Sequence, residues 1–383
     1  MARITRTPVR IIWREEAIFK DTYGGDVGVV AIGGMHFTDG NPSDTVLLTM
    51  HPIGGTQGVP VMPRLAEAGL HVLAMDSRYR GVDYALIMEK VPLDLGAAVR
   101  YAREKLGYKK VIMLGWSGGG SLSAFYQAQA ENPTVTDSPG GGGPDLTKAG
   151  LIPGDGVIEI AAHVSRHGTL TEWIDASILD EANPDIRDPE LDLYGDLVKP
   201  PYTPEFIERY RAAQLARNHR ITAWVKEKLA HLRATGRENE EFAFATHGTM
   251  ADPRWLDPAI DPNDRKANWC YMGDPRIVNM SPVGLARFST LRSWLSQWSH
   301  SDANADGLRS LATVSKPVLV MNNTADDACT PSHSQRLFDA VAHDRKKLVH
   351  IKGATHYYQD QPELAQQAAQ TIRTWLTEND LLA

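Results

Sequence analysis

The strongest constraint on this chain is an apolar run that stops at a serine set among glycines, Val111-Ile112-Met113-Leu114-Gly115-Trp116-Ser117-Gly118-Gly119-Gly120. Four apolar residues after Lys109-Lys110 fit a short buried strand. Leu122, Phe125 and Tyr126 then recur at helical spacing. Between them lies a strand-to-helix turn with Ser117 at its apex. Such a turn strains the serine backbone and brings strand and helix together, so bulky residues two positions before or after it would clash. Gly115 and Gly119 meet that demand. A hydroxyl lifted clear in this way attacks a carbonyl when a base and oxyanion-binding amides stand beside it. A glycine-rich turn with an incidental serine is the plainer alternative, and the flanking strand and helix patterns argue against it.

Similar short runs recur along the chain. Strands are expected at Val9 to Trp13, Val27 to Ile32, Val46 to Met50, Val72 to Met75, Val111 to Leu114, Val157 to Ala161, Pro317 to Met321 and Leu348 to Ile351. The last six are nearly continuous in Val, Ile, Leu and Met, as strands buried on both faces should be. The first two, joined through Asp21 to Asp26, read as an antiparallel edge. Helices are expected at Val59 to Ala68, Pro92 to Leu106, Gly119 to Glu131, Ser332 to Val341 and Glu363 to Thr377. Pro92 is placed as a first-turn proline, and Pro331-Ser332 opens the helix that follows it. The fold class is therefore α/β, with a mostly parallel sheet covered by helices on both faces.

Alternation of strand and helix disappears from about Ser165 to Asp306. That interval carries helical patterns at Thr203 to Ala216 and Ile221 to Leu232, and six of the nine tryptophans. A structureless loop of this length would be improbable. It reads as a mainly helical cap inserted after the sixth strand, so that residues 1–164 and 307–383 form the two parts of the core and 165–306 the cap. Trp294 and Trp298 are candidates for an apolar substrate pocket; filling a small core is the plainer role.

The formal charge of −7 supplies no concentrated basic face, which argues against a nucleic-acid partner. The N-terminus carries Arg3, Arg6, Arg10 and Arg14 without an apolar run of signal-peptide length, and no stretch approaches a membrane span. Cys270 and Cys329 form neither a disulfide framework nor metal-ligand spacing. The expectation is a cytoplasmic protein with no cofactor and no metal, acting on a small-molecule substrate without nucleic acid or membrane; a homodimer is left open. The glycine run Gly140 to Gly143 lacks the Gly-Lys-Ser/Thr ending of a phosphate loop and reads as a surface loop.

A serine nucleophile needs a base, and the base an acid that fixes its tautomer. Asp326 and Asp327 stand just beyond the strand ending at Met321, and His356 just beyond the one ending at Ile351. Residues at the carboxyl ends of parallel strands converge on one rim. Here the chain resembles the α/β-hydrolase superfamily in its serine esterase and lipase-like branch: Ser117, Asp326 and His356 follow its order of nucleophile, acid and base. Thr324-Ala325-Asp326-Asp327 is similar to its acid turn, which assigns the acid to Asp326 with Asp327 as competitor. His51-Pro52-Ile53-Gly54-Gly55 resembles its His-Gly-x-Gly-Gly loop, with Pro52 replacing a glycine. The resemblance implies an oxyanion hole made by the amides of Ile53 and Gly118.

His51 is expected to hold that loop. His51, Trp116 and His163 join the two tryptophans as pocket candidates, although structural roles are the plainer reading for Trp116 and His163. The implied activity is acyl-enzyme hydrolysis, most simply of a small to medium, rather apolar carboxylic ester. Carbon-carbon bond hydrolysis of a diketone or ring-cleavage product, thioesterase, lactonase and amidase chemistry use the same residues. A non-catalytic ligand-binding protein of the same fold is the remote alternative.

Overall fold

The computed structural model describes residues 4–20, 22–23 and 25–382. Arg3, and Asp21 and Gly24 of the first connection, lie outside the described residues. The first part of the chain runs β1 (Thr5–Arg14), β2 (Val29–Thr38), β3 (Thr45–His51), α1 (Val61–Glu67), β4 (His71–Asp76), α2 (Val91–Glu104), β5 (Lys110–Ser117), α3 (Gly118–Glu131) and β6 (Gly156–Ala162). The intervening segment contains α4 (Arg166–Trp173), α5 (Pro204–Ala234), β7 (Ala243–Ala245), α6 (Pro253–Leu256), α7 (Pro275–Val278), β8 (Phe288–Thr290) and α8 (Leu291–Gln297). The chain then closes with α9 (Gly307–Leu311), β9 (Val318–Asn323), α10 (Pro331–Ala340), β10 (Lys346–Ile351) and α11 (Pro362–Glu378).

Eight strands form one sheet in the order β1-β2-β4-β3-β5-β6-β9-β10. Within this sheet only β2 runs against the other strands, antiparallel to both β1 and β4. The β1–β2 pairing makes a ten-residue ribbon, longer than the apolar runs suggested, because β2 continues through Gly33–Thr38 against both β1 and β4. Alternating polar residues there interrupt the apolar run while the backbone ladder carries on. The inner strands β3, β4, β6 and β9 are buried almost throughout, as follows when both faces are covered. On one face α2, α3 and α10 pack around Val46, Leu48, Met113 and Val320. On the other, α1 and α11 pack on Leu47, Ile112, Leu114 and Leu319.

The insertion between β6 and β9 is mainly helical and builds its own apolar clusters. Its neck is closed by an isolated antiparallel bridge between Ser165 and Asp306 and by the Gly307 amide donating to the Val164 carbonyl at 2.8 Å. The two helices expected at Thr203 to Ala216 and Ile221 to Leu232 are one continuous 31-residue helix, α5. The polar stretch Arg217-Asn218-His219-Arg220 breaks the apolar period without breaking the helix. Arg217 is buried and binds Glu181 and the carbonyls of Asp175, His247 and Gly248, while Asn218 Nδ2 donates to the Trp298 carbonyl. Polar residues with tertiary partners occupy what would otherwise be an exposed gap. Among the described residues, no helix is long and apolar enough to cross a membrane.

Candidate active site

Ser117 ends β5 and caps α3 with φ 56° and ψ −128°, a left-handed backbone that a serine adopts only under constraint. The constraint is close packing. A Cβ on Gly119 would lie 2.6 Å from the Met50 carbonyl oxygen, and one on Gly115 would lie 2.5 Å from the Cα of Gly120. Gly120, not singled out in the sequence, is equally required: its Cβ would meet the Ala162 Cβ at 2.5 Å and Glu159 Oε2 at 2.4 Å. The Glu159 side chain fills the space these glycines leave. Both its oxygens lack a hydrogen-bond partner among the described residues, and burial raises its carboxyl well above the usual range.

The loops after β9 and β10 bring two more side chains to this rim. His356 Nε2 lies 3.1 Å from Ser117 Oγ, and His356 Nδ1 lies 2.8 Å from Asp326 Oδ2. The carboxylate accepts from Nδ1–H, which leaves Nε2 to accept the serine hydroxyl proton. The second oxygen, Asp326 Oδ1, accepts the amides of Ala328 and Cys329 at 2.7 and 2.8 Å. Asp327 stands aside, its carboxyl pushed up to about 6 by burial and by the charge of Asp326. Trp116 anchors the base loop by donating Nε1–H to the His356 carbonyl at 3.1 Å, and its ring packs 4.9 Å from the imidazole.

His51 ends β3 beside the elbow. Its Nδ1 accepts the amides of Ile53 at 3.2 Å and Gly54 at 2.8 Å, and Ser77 Oγ and the Gly81 amide hold the carbonyls of Pro52 and Ile53. The Ile53 N–H, expected in the oxyanion hole, is in this conformation directed at His51 Nδ1. Gly118 occupies the first position of α3, where an amide has no intrahelical partner. Burial, with the charge of Arg166 and the nearby His356, pushes His51 down to about 3. The ring is neutral at physiological pH. Since Nδ1 accepts, its proton sits on Nε2, the atom that would lie 2.8 Å from a Cβ on Gly118.

His163 follows β6 with its backbone amide donating to the Ser117 carbonyl at 3.1 Å and its ring 6.3 Å from that of His356. Burial and the neighbouring histidines keep it neutral. Trp294 does not line the site. It is fully buried among Leu170, Ile221, Val225 and Leu291, with Nε1–H donating to Thr222, so its pocket assignment is corrected to a core one. Trp298 is equally buried in that cluster, but its ring carries the guanidinium of Arg166 at 4.2 Å.

Three features near the rim had no signature in the sequence. Asn263 donates to the Asp326 carbonyl at 2.8 Å and Trp255 Nε1 to the Asp327 carbonyl at 2.7 Å, so the insertion holds the acid turn. Tyr271 places its ring 6.0 Å from His356. Arg166, buried at the start of α4, would have looked like any arginine after a strand. Cys329 Sγ, with Asp326 and His356, forms a group whose donor atoms lie within 4.8 Å of one another. Burial keeps that thiol protonated, which makes it a weak metal ligand. A cavity of about 1110 Å³ opens elsewhere, between Glu15, Lys90, Gly140 to Gly143, Arg233 and Arg292, and neither Ser117 nor His356 lines it.

A sequence model described as the α/β hydrolase fold matches residues 51–136, from the His51 loop through the elbow and α3. This is an α/β-hydrolase fold. Among solved structures with this architecture, the α/β hydrolase GrgF from a Penicillium species is 12% identical, covers 98% of this chain and 99% of its own, and gives a TM-score of 0.53. A hypothetical protein of Pseudomonas aeruginosa is also 12% identical, covering 99% of this chain and 95% of its own, with a TM-score of 0.51. The Paleococcus ferrophilus monoacylglycerol lipase is 17% identical, covers 88% of this chain and 94% of its own, and gives a TM-score of 0.43. No curated protein matches the chain in sequence.

Proposed function

We propose that this α/β-hydrolase-fold protein is a serine hydrolase that forms an acyl-enzyme on Ser117, acting as a carboxylesterase on a small to medium ester with a largely apolar body. The reading is carried by the hydrogen-bonded chain from Asp326 through His356 to Ser117, at 2.8 and 3.1 Å, on a strained elbow. In the first step His356 Nε2 takes the serine proton as Oγ bonds to the ester carbonyl carbon. The imidazolium then gives that proton to the departing alkoxide. Water, deprotonated by the same histidine, attacks the acyl-serine, and the proton returns to Oγ as the acid leaves.

The oxyanion formed at each step needs two donors. The Gly118 amide is one, and the Nε2–H of His51 replaces the Ile53 amide as the other. A side-chain donor suits a loop in which Pro52 has no N–H and the next two amides are engaged by Nδ1. The test is turnover of a nitrophenyl ester panel by the wild type and by Ser117→Ala. Loss of several powers of ten in kcat, with the fold retained by circular dichroism, is expected for a triad nucleophile. An active Ser117→Ala enzyme, free of contaminating esterase, overturns the proposal.

A further inference from the structure

We infer that Arg166 binds a carboxylate carried by the substrate, so that the preferred ester bears one acidic group away from the bond that is cleaved. This rests on the reading of Ser117 as the reacting nucleophile. Burying a guanidinium is costly unless partners replace its water. Other buried arginines have such partners: Arg78 pairs with Glu15 and Asp94, Arg217 with Glu181, and Arg254 with Asp252 and Glu172, while Arg265 and Arg287 donate to backbone carbonyls. Arg166 is 8% exposed and has no ion pair among the described residues, and its Nε and Nη2 have no hydrogen-bond partner there. Those two atoms form the side-on edge of the guanidinium, which matches the two oxygens of a carboxylate.

The surroundings place the Arg166 guanidinium near the catalytic rim. Arg166 stands three residues after His163, whose amide holds the Ser117 carbonyl. Its charge depresses the pKa of His51, and it acts in the same way on Tyr271, whose ring lies 6.0 Å from His356. Underneath is the face of Trp298, and the indole Nε1–H is itself buried without a partner among the described residues. Asp83 is the acid whose field reaches Arg166, but it lies beyond ion-pair distance and burial raises its own carboxyl. One fixed cation on an aromatic platform, with a second N–H beside it, suits a planar monovalent anion better than a dianionic phosphate.

The test compares 4-nitrophenyl hydrogen adipate with 4-nitrophenyl hexanoate, placing the carboxylate on the acyl side, and 3-carboxyphenyl hexanoate with phenyl hexanoate, placing it on the leaving group. In one of these pairs the wild type should favour the anionic member by at least about tenfold in kcat/KM, through a lower KM. Arg166→Gln should bring that ratio toward one, and Arg166→Lys should keep part of it. Fluorophosphonate labelling of Ser117, run on each variant, reports that the site is folded. Preference for the neutral member in both pairs, or a ratio unchanged in Arg166→Gln because Asp83 already occupies the guanidinium, overturns the inference while esterase activity stands. If no ester is turned over and Ser117 resists the probe, the functional reading fails. Calorimetric binding of adipate then decides for Arg166: weakening in Arg166→Gln supports the site, and no binding to the wild type overturns it.

Discussion

Accepting two amides at Nδ1 leaves the His51 proton on Nε2, and the loop-anchoring role and the proposed donor role separate by mutation. In His51→Asn the side-chain oxygen can still accept from the loop but nothing reaches the oxyanion; in His51→Gln an amide N–H extends to about the place of Nε2. The Asn variant should lose roughly 10²–10³ in kcat, the cost of one oxyanion donor, and the Gln variant markedly less. Equal losses would return the donor role to the backbone. Asp326→Asn should cost about 10⁴ in kcat because His356 would hold the wrong tautomer, while Asp327→Asn, off the Nδ1 axis, should cost little; steady-state kinetics on one ester rank the two. Ser117, Asp326 and His356 were legible because each stands just past an apolar strand in a fixed order. The engaged state of the Ile53 amide and the unpaired state of Arg166 were not, since both depend on what approaches from elsewhere in the chain.

At the scale of single elements, β5, the elbow and α3 behave as one unit whose spacing is set by missing side chains. Gly119→Ala would drive a methyl group against the Met50 carbonyl, a backbone atom that can yield only if α3 moves off β3. A loss of about 1–3 kcal/mol is expected, measurable by denaturant unfolding, together with slower fluorophosphonate labelling as Ser117 leaves His356. Elements carrying a continuous apolar run, such as β3, β6 and β9, were readable from pattern alone. The second half of β2 and the middle of α5 were hidden by the same effect. Polar residues there are satisfied by a ladder or by tertiary hydrogen bonds, and period-based reading sees only their polarity.

Across the whole molecule, core and insertion meet through buried polar contacts as well as apolar ones. Glu89, fully buried before α2, accepts from Ser296 at 2.6 Å and Asn304 at 2.9 Å. Burial pushes its carboxyl up to about 7 from 4.5. The folded protein therefore holds this proton more tightly than the unfolded chain does. That stabilisation is complete below pH 4.5 and is lost as pH rises through 7. Glu89→Gln should remove the dependence and, at pH 8, recover on the order of 3 kcal/mol, read as a higher Tm than wild type at pH 8 but not at pH 5. The existence and position of the insertion were legible from the lapse of alternation, whereas its contacts with the core were not.

The hold of Asn263 and Trp255 on the acid turn also bears on how this architecture can be re-engineered. A lid that merely covered a pocket could be exchanged for another to change substrate range. Here two of the donors that steady Asp326 and Asp327 belong to the lid itself. A grafted replacement would have to bring two equivalent N–H groups to the same carbonyls, or the transplant would loosen the carboxylate that orients the base. Recombination at the Ser165–Asp306 neck is thus chemically conservative only for lids that carry this clasp with them.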